Sequence, residues 1–477
     1  MHRSSRLVDR LFFAALGGIY LVAFRSLGRQ VKGLYGSRGI RPIAGYLDSL
    51  REDLAPRERV RYMPSIFWLG ASDAALVRAC RAGQVGGVLL ALRVAPRLTA
   101  TALWGLYLSF VTAGRDFLSF QWDVLLLENG LHAIVLAPSR GARPPRTATL
   151  LMRWLAFRLQ FESGHCKLAS RDPTWRNGEA CAYHFETQPL PTRLGWHAHQ
   201  LPRPATHVLT YAALALELGA PWLAFAPRRL RRAGFAILAG LQIAIAATGN
   251  YGFFNLLTIA DDLWLLDERP RTRAARRASR PPWWHRVLSV AAGVPILAIS
   301  GATLATRLFR RAHRPAPIEK LHDALAPLYS INPYGLFAVM TTSRPEIVIE
   351  GSDDAVEWRE YGFRYKPGDL DRPPRWSAPH QPRLDWQMWF AALGPAPPWF
   401  FYFLLRLLEG SPDVRALLEC DPFPEHPPKY VRALLYDYHF TDRRTRARTG
   451  AWWRRELLGT YVIPVELDDL RRLRQRA

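Results

Sequence analysis

The stretch RWLAFRLQFESGHCKLASRDPTWRNGEACAYHFETQPLPTRLGWHAHQLP, Arg153 to Pro202, decides how the chain is read, because an apolar, membrane-like segment ending near Phe161 opens there into a dense polar loop. The loop carries Glu162, Gly164-His165-Cys166-Lys167-Leu168, Asp172-Pro173-Thr174-Trp175, Cys181, His184, Glu186-Thr187-Gln188-Pro189-Leu190-Pro191 and Trp196-His197-Ala198-His199-Gln200. It matches no common soluble enzyme motif. Beyond it, Ala205 to Ala226, Gly234 to Leu266 and Val287 to Leu304 read as membrane crossings; before it, Leu11 to Leu27 is a shorter one, and Val85 to Leu136 holds less sharply bounded ones. A spanning helix needs about 20 apolar residues. Gly234 to Leu266 exceeds that and has Gly249-Asn250-Tyr251-Gly252 at its centre, so it is read as two short membrane helices joined by a turn.

Charge orients these crossings. Arg228, Arg229, Arg231 and Arg232 precede the paired segment, and Arg269, Arg271, Arg273, Arg276, Arg277 and Arg280 follow it. Positive loops prefer the cytoplasmic side, and two crossings keep both loops there. The polar loop and the carboxy-terminal region then lie opposite the cytoplasm and face each other. Arg307, Arg310, Arg311 and Arg314 break the rule locally. Asp261 and Asp262 must be buried in the bundle, or the second arm stops short of a full crossing. At the amino end, Arg3, Arg6 and Arg10 precede the apolar run and no small-residue cleavage site follows Leu27, which predicts an uncleaved anchor.

Over 477 residues the mean hydropathy of -0.08 conceals this segregation, while 17 Trp and 23 Phe supply ample apolar surface. The net charge of +24 is almost wholly Arg, since Lys occurs only at Lys32, Lys167, Lys320, Lys366 and Lys429. The Arg clusters flank apolar segments and nothing reads as a nucleic-acid module, so the charge is assigned to membrane orientation and nucleic acid is excluded as a partner. From about Leu321 the composition becomes that of a water-soluble domain. Ile347-Val348-Ile349, Trp358 to Tyr365 and Val431 to Phe440 have the alternation and aromatic content of strands, and Leu384 to Leu393 and Trp399 to Leu408 read as helices. The expected fold is a multi-pass α-helical membrane protein, residues 1–320 with the polar loop 162–204, followed by a non-cytoplasmic, β-rich α+β, sandwich-like domain at 321–477.

The polar loop, together with Phe120-Gln121-Trp122-Asp123, Leu125-Leu126-Leu127-Glu128, Gly249-Asn250-Tyr251-Gly252-Phe253-Phe254-Asn255, Arg383-Leu384-Asp385-Trp386-Gln387-Met388-Trp389 and Trp358-Arg359-Glu360-Tyr361-Gly362-Phe363 with Lys366-Pro367-Gly368, resembles the signatures of the lipase maturation factor family. Several separated motifs in one order make the resemblance specific, and it covers roughly Arg6 to Pro464. It implies a polytopic membrane protein, in the endoplasmic reticulum or in the inner membrane of a bacterium, that helps secreted or membrane client proteins such as lipases reach an active fold in a chaperone-like way. It implies no agreed catalytic chemistry and no cofactor. No retrieval motif stands at Gln475-Arg476-Ala477.

The residues leave a second class of function open. Gly164-His165-Cys166-Lys167-Leu168 with Trp175 also resembles the Ala-Gly-x-x-Lys-Leu and Asp-x-x-Trp stretch of vitamin K-dependent carboxylases, whose lysine serves as base; this implies a membrane enzyme acting on a lipid or quinone through Lys167. A desolvated lysine has a depressed pKa and can act so. The bland alternative is that Lys167 snorkels to the interface or pairs with Glu162 or Asp172. His184, Glu186, His197 and His199 are candidate acid and base groups beside it, or members of an interfacial turn; Glu186 to Pro191 reads as a rigid turn that includes Gln188. Asp123, Glu128 and Glu217 sit in apolar runs, where charges are functional suspects by default. A transporter would use Glu217 and Asp123. Structural pairing would instead join Arg153 or Arg158 to Asp123 or Glu128, and Glu217 to a backbone group freed by Pro221. Asn250 and Asn255 are expected to satisfy backbone at the hairpin turn. Cys166 and Cys181 form a disulfide, or remain buried thiols, or join His165 and His184 on zinc, although the spacing matches no standard metal signature. Trp386 and Trp389, beside Arg383 and Asp385, are core anchors or part of a client-binding groove.

Overall fold

A computed structural model describes residues 3–138, 142–268, 272, 274, 279–309 and 311–476. Arg269, Arg271, Arg273, Arg276, Arg277 and Arg310, used above in orienting the chain, lie outside that set. The amino-terminal bundle contains α1 (Arg3–Gly28), α2 (Asp73–Ala91), α3 (Pro96–Gly114), α4 (Gln121–Leu136) and α5 (Arg146–Ala169). The polar loop expected from Glu162 opens later, because α5 continues through Lys167 to Ala169; the remainder folds as three short helices, α6 (Pro173–Arg176), α7 (Ala180–Thr187) and α8 (Arg193–His199), and the bundle resumes with α9 (Arg203–Gly219), α10 (Arg228–Thr248), α11 (Phe254–Asp262) and α12 (Trp283–Leu308). Asp172 and Thr192 cap α6 and α8, their side-chain oxygens accepting from Thr174 N (2.8 Å) and Gly195 N (3.1 Å).

Among the described residues five helices are long and apolar enough to cross a membrane: Leu7–Gly28, Asp73–Ala91, Arg203–Phe225, Arg228–Thr248 and Trp283–Leu308. Their outward faces are apolar. Along α12, Val287, Val290, Val294 and Leu297 form an exposed stripe at helical spacing, and α9 and α10 expose Val208, Leu209, Ile237 and Ile243. Such faces are stable against hydrocarbon and costly in water, so the chain is an integral membrane protein. Inside the bundle α1 and α2 touch backbone to backbone: a Cβ on Gly17 would lie 2.5 Å from the Gly87 carbonyl oxygen. This is the small-residue contact that joins helices where lipid offers no hydrophobic drive.

The segment Gly234 to Leu266 is two arms, as expected. The first starts earlier, at Arg228, and the second, α11 with a 3-10 turn to Leu266, is too short to cross alone. Its carboxylates turn inward: Asp261 accepts from Asn129 (3.2 Å) and Asp262 from Gln160 (2.9 Å). Both ends return to one face, where Arg231 donates to Leu265 O and Asp267 O (both 3.0 Å) and Arg232 meets Glu268 (2.6 Å). Arg307, which broke the charge rule, is used structurally, since it pairs with buried Glu162 (3.1 Å) and donates to Tyr334 O (2.5 Å).

The carboxy-terminal part is built on a four-stranded antiparallel sheet of order β2-β1-β3-β4, with β1 Pro345–Ser352, β2 Arg359–Glu360, β3 Tyr430–Phe440 and β4 Trp453–Glu466. Helices α13 (Arg383–Ala392) and α14 (Pro398–Leu408) lie close to their expected positions. In register, Ile347 faces Leu435 and Ile349 faces Ala433 at the sheet centre. The expected strand Trp358 to Tyr365 is reduced to β2, because the chain leaves the sheet after Tyr361, whose N–H still donates to Ile349 O (2.9 Å), and Gly362 bridges to Cys420 instead. β4 was not anticipated: it is mostly exposed and bulged against β3, so its sequence lacks clean alternation. The loop packs directly on this part, with Trp196 buried against Tyr438, Phe440, Trp452 and Trp453.

Candidate functional site

The motif residues converge on the seam between bundle, loop and carboxy-terminal part. Arg383, in the first turn of α13, reaches into the bundle and clasps Asp123 of α4 with both terminal nitrogens (2.8 and 2.9 Å), while donating to Phe117 O (2.6 Å). The Tyr107 hydroxyl donates to the same carboxylate. Both charged side chains are at most 1% exposed, and the two-pronged geometry is the strongest form of such a pair. This corrects the expected partner of Asp123: Arg153 instead donates to Trp264 O and Asp267 O at the opposite end of the bundle (both 3.1 Å).

Glu128 does meet Arg158, as expected, and also accepts from the Tyr334 hydroxyl (2.6 Å), while Arg158 donates to Asn332 O (2.9 Å). Asp172 accepts from Met340 N (2.9 Å) and Trp175 donates to Phe337 O (2.9 Å), so the segment around 330–340 is stitched to the loop. Arg344 clasps the proline turn, donating to the carbonyls of Glu186 (2.6 Å), Gln188 and Pro189 (2.8 Å); burial holds its guanidinium pKa below the ordinary value. The Glu186 carboxylate accepts from Phe440 N (2.5 Å), and Gln188 links Thr248 O (2.9 Å) to the Tyr251 hydroxyl (2.9 Å).

Asn250 does more than close the hairpin turn. Its side chain donates to Arg375 O (2.8 Å) and accepts from Ser377 N (2.7 Å), a tie to the carboxy-terminal part. Asn255 donates to Gln242 (2.9 Å) rather than to backbone. Asp385 accepts from Tyr365 N (2.8 Å) and Lys366 N (3.0 Å); burial raises its pKa and these two amides oppose the shift. Trp386 and Trp389 are buried, with Trp386 edge-on to Trp122 at 4.7 Å and Trp389 donating to Thr187 O (2.9 Å).

Lys167 departs from every expected partner. It pairs with Glu217 of α9 (2.6 and 2.8 Å), donates to Ser163 O (3.1 Å) and lies 5.3 Å from the Trp175 ring centre. Glu217 therefore has a cation, and the backbone group freed by Pro221 is not its partner. The pair sits at one side of a cavity of about 650 Å³ between α5, α9, α10 and α11, also lined by Gln160, Cys181, His184 and Asn255. Burial, with Lys167 nearby, pushes the His184 pKa down to about 4. Cys166 and Cys181 are free thiols: Cys166 turns towards Leu336 O (3.8 Å) while Cys181 faces the cavity, so no bridge joins them. His199 lies instead at Glu186 (3.9 Å), away from Lys167, and among the described residues no three His, Cys, Asp or Glu side chains gather as metal ligands.

Residues 7–273 match the family described as lipase maturation factor transmembrane domain, and residues 330–464 match the lipase maturation factor C-terminal domain. The chain belongs to the lipase maturation factor family. It is 35% identical to lipase maturation factor 2 of Gallus gallus over 96% of this chain and 81% of that protein, and 34% identical to lipase maturation factor 2 of Homo sapiens over 98% and 83%. Lipase maturation factor 1 of Bos taurus is 31% identical over 96% of this chain and 88% of its own length. No solved structure matches the chain. Within this lipase maturation factor fold, the residues that sequence reasoning missed are Tyr107, Tyr334 and Arg344. Arg344 alone had a legible signal, an arginine immediately before a buried apolar strand.

Proposed function

We propose that this chain is a membrane-anchored maturation factor for secreted lipases, residing in the endoplasmic reticulum membrane or, in a bacterium, the inner membrane. The observation that carries the reading is the family membership, joined to the internal ties that nine of the motif residues form and that hold one body together. Asp123, Glu128, Asp172, Trp175, Glu186, Gln188, Asn250, Arg383 and Asp385 act as those ties, and Trp122 and Trp386 as their packed core. Client contact falls to the surface the ties create, a groove of about 820 Å³ lined by Phe120, Trp122, Trp386, Phe390 and the strip Leu336 to Val339. Val339 and Phe390 are exposed there, and among the described residues Asp116 is the one charged member of the lining. An aromatic groove of this size, carrying a single carboxylate at Asp116, suits apolar side chains of an incompletely folded client, which would leave it as its own core closes.

The test is co-expression of a secreted lipase with the wild-type chain, Phe390→Asp or Val339→Asp, reading the specific activity of the secreted lipase and the membrane abundance of the factor. Lipase activity should fall while abundance holds. Activity independent of the whole chain would overturn the function, and activity untouched by either substitution would overturn the groove.

A further inference from the structure

Between β3 and β4 the chain reads Asp442-Arg443-Arg444-Thr445-Arg446-Ala447-Arg448-Thr449 and folds as one short helix, α15 (Arg443–Thr449), so its arginines are gathered in two turns. Asp442, the one acidic residue of the stretch, is spent on capping, accepting from Thr445 N (2.7 Å) and Thr445 Oγ1 (3.1 Å). The helix is pinned to α8 of the polar loop, because the carbonyl of Thr441 accepts from Trp196 Nε1 (3.0 Å) and Gln200 Nε2 (3.2 Å). Arg446 lies over two rings, 3.6 Å from the centre of Trp452 and 5.0 Å from that of Trp196. Stacking of this kind positions a guanidinium without neutralising it.

A cleft of about 640 Å³ between the two helices is lined by Trp196, His197, Arg443, Arg446, Ala447 and Gly450, and Arg193, exposed at the start of α8, also approaches Trp452 (6.0 Å). The carboxylates of the adjoining loop are occupied elsewhere: Glu179 faces Arg203 (4.0 Å), and Glu186 accepts from Phe440 N and faces His199 and His439. Among the described residues no carboxylate pairs with Arg193, Arg443 or Arg446, and the cleft keeps a net positive charge.

Its place in the fold says which anion it meets. Gln200 N and Leu201 N donate back to His197 O (3.2 Å) and Ala198 O (3.1 Å), so α8 passes through a tight turn into α9, where the membrane-spanning stretch Arg203–Phe225 begins. The cleft therefore lies beside the end of a spanning helix, at the level of lipid head groups. Leu194 and Leu201 are exposed on the same stretch, and apolar side chains beside arginines are the composition of an interfacial contact.

We propose that this cleft binds the phosphate of an anionic phospholipid head group, with Arg443 and Arg446 donating to its oxygens and Arg193 adding positive charge at the rim. The forked guanidinium suits phosphate oxygens, and basic clusters at a membrane surface attract anionic lipid. The contact holds the carboxy-terminal part down on the bilayer, and it shares no lining residue with the groove assigned above to the client.

The test compares the full chain in nanodiscs of phosphatidylcholine alone and of phosphatidylcholine mixed equally with phosphatidylglycerol, reading backbone amide exchange. Phosphatidylglycerol should slow exchange in 441–450 by about tenfold and leave the sheet strand 345–352 unchanged. Arg443→Gln, on the exposed face of α15, and Arg446→Gln should each cut that protection about fivefold, and added salt should weaken it. Arg443→Gln keeps the test sound should loss of the Arg446 stack disturb the local fold. Protection equal in the two lipid compositions, or unchanged in a folded Arg443→Gln variant, would overturn the site. The same protection from inorganic phosphate in phosphatidylcholine discs would overturn the lipid source in favour of free phosphate, and stronger protection from polyglutamate would overturn it in favour of an acidic polypeptide.

Discussion

Two buried ion pairs, Asp123 with Arg383 and Lys167 with Glu217, look alike in a table of distances and differ in what surrounds them. The first is fully buried, two-pronged and shared between bundle and carboxy-terminal part, with Tyr107 and the Phe117 carbonyl beside it. The second lies within the bundle at the edge of an open cavity. A charge pair closed on all sides can only hold parts together, whereas one beside empty space is also open to whatever occupies that space. The comparison places structural work at the seam.

The sharpest break is at the seam. Arg383→Leu strands the Asp123 carboxylate, and removing one partner of a buried pair costs about 3–5 kcal/mol. Thermal unfolding in detergent should fall accordingly, and limited proteolysis should release the carboxy-terminal part first. Arg383→Lys should recover little of this, since an ammonium cannot reproduce the two-pronged clasp. Next, Lys167→Met alone should destabilise by roughly 3 kcal/mol, while Lys167→Met with Glu217→Leu should return most of it by removing both charges. Lipase maturation retained by that double variant would remove Lys167 from any base role; maturation lost with stability restored would reinstate it.

Smaller effects come from Tyr334→Phe, which removes one donor from buried Glu128 and should cost about 1–3 kcal/mol by the same unfolding measurement. The smallest is a pH effect with one histidine in each region. Burial lowers the pKa of His184, at the cavity, and of His380, at the seam beside Ser26 (2.8 Å), from 6.5 to about 4. Between those values the unfolded chain takes up protons that the folded chain refuses, so stability is fully present above about pH 6.5 and declines towards pH 4. His380→Gln and His184→Gln should each flatten that decline, read as unfolding temperature against pH; a slope unchanged in both would assign the acid sensitivity to other groups.

Much of the fold was legible because the signals are local. The length of the run Val287 to Leu304, the central turn at Gly249 to Gly252 and the alternation around Ile347 to Ile349 each concern neighbours in the chain, and each reappears within a few residues of its expected place. β4 was illegible for the converse reason: with most of its side chains in solvent, nothing constrains them to alternate. Of the buried charges, Glu128 and Arg158 could be matched because they lie 30 residues apart in neighbouring apolar runs, whereas Asp123 and Arg383 lie 260 apart.

The sequence by itself determined the family, the membrane-spanning character, the sided charge and the identity of the motif residues, because composition and spacing carry those properties before any folding. Tertiary structure alone decided which motif residue meets which: that Arg383 and not Arg153 neutralises Asp123, and that Lys167 turns to Glu217. Pairing energy depends on separation and burial in space, and many cations in an arginine-rich chain are equally eligible until packing brings one of them within reach.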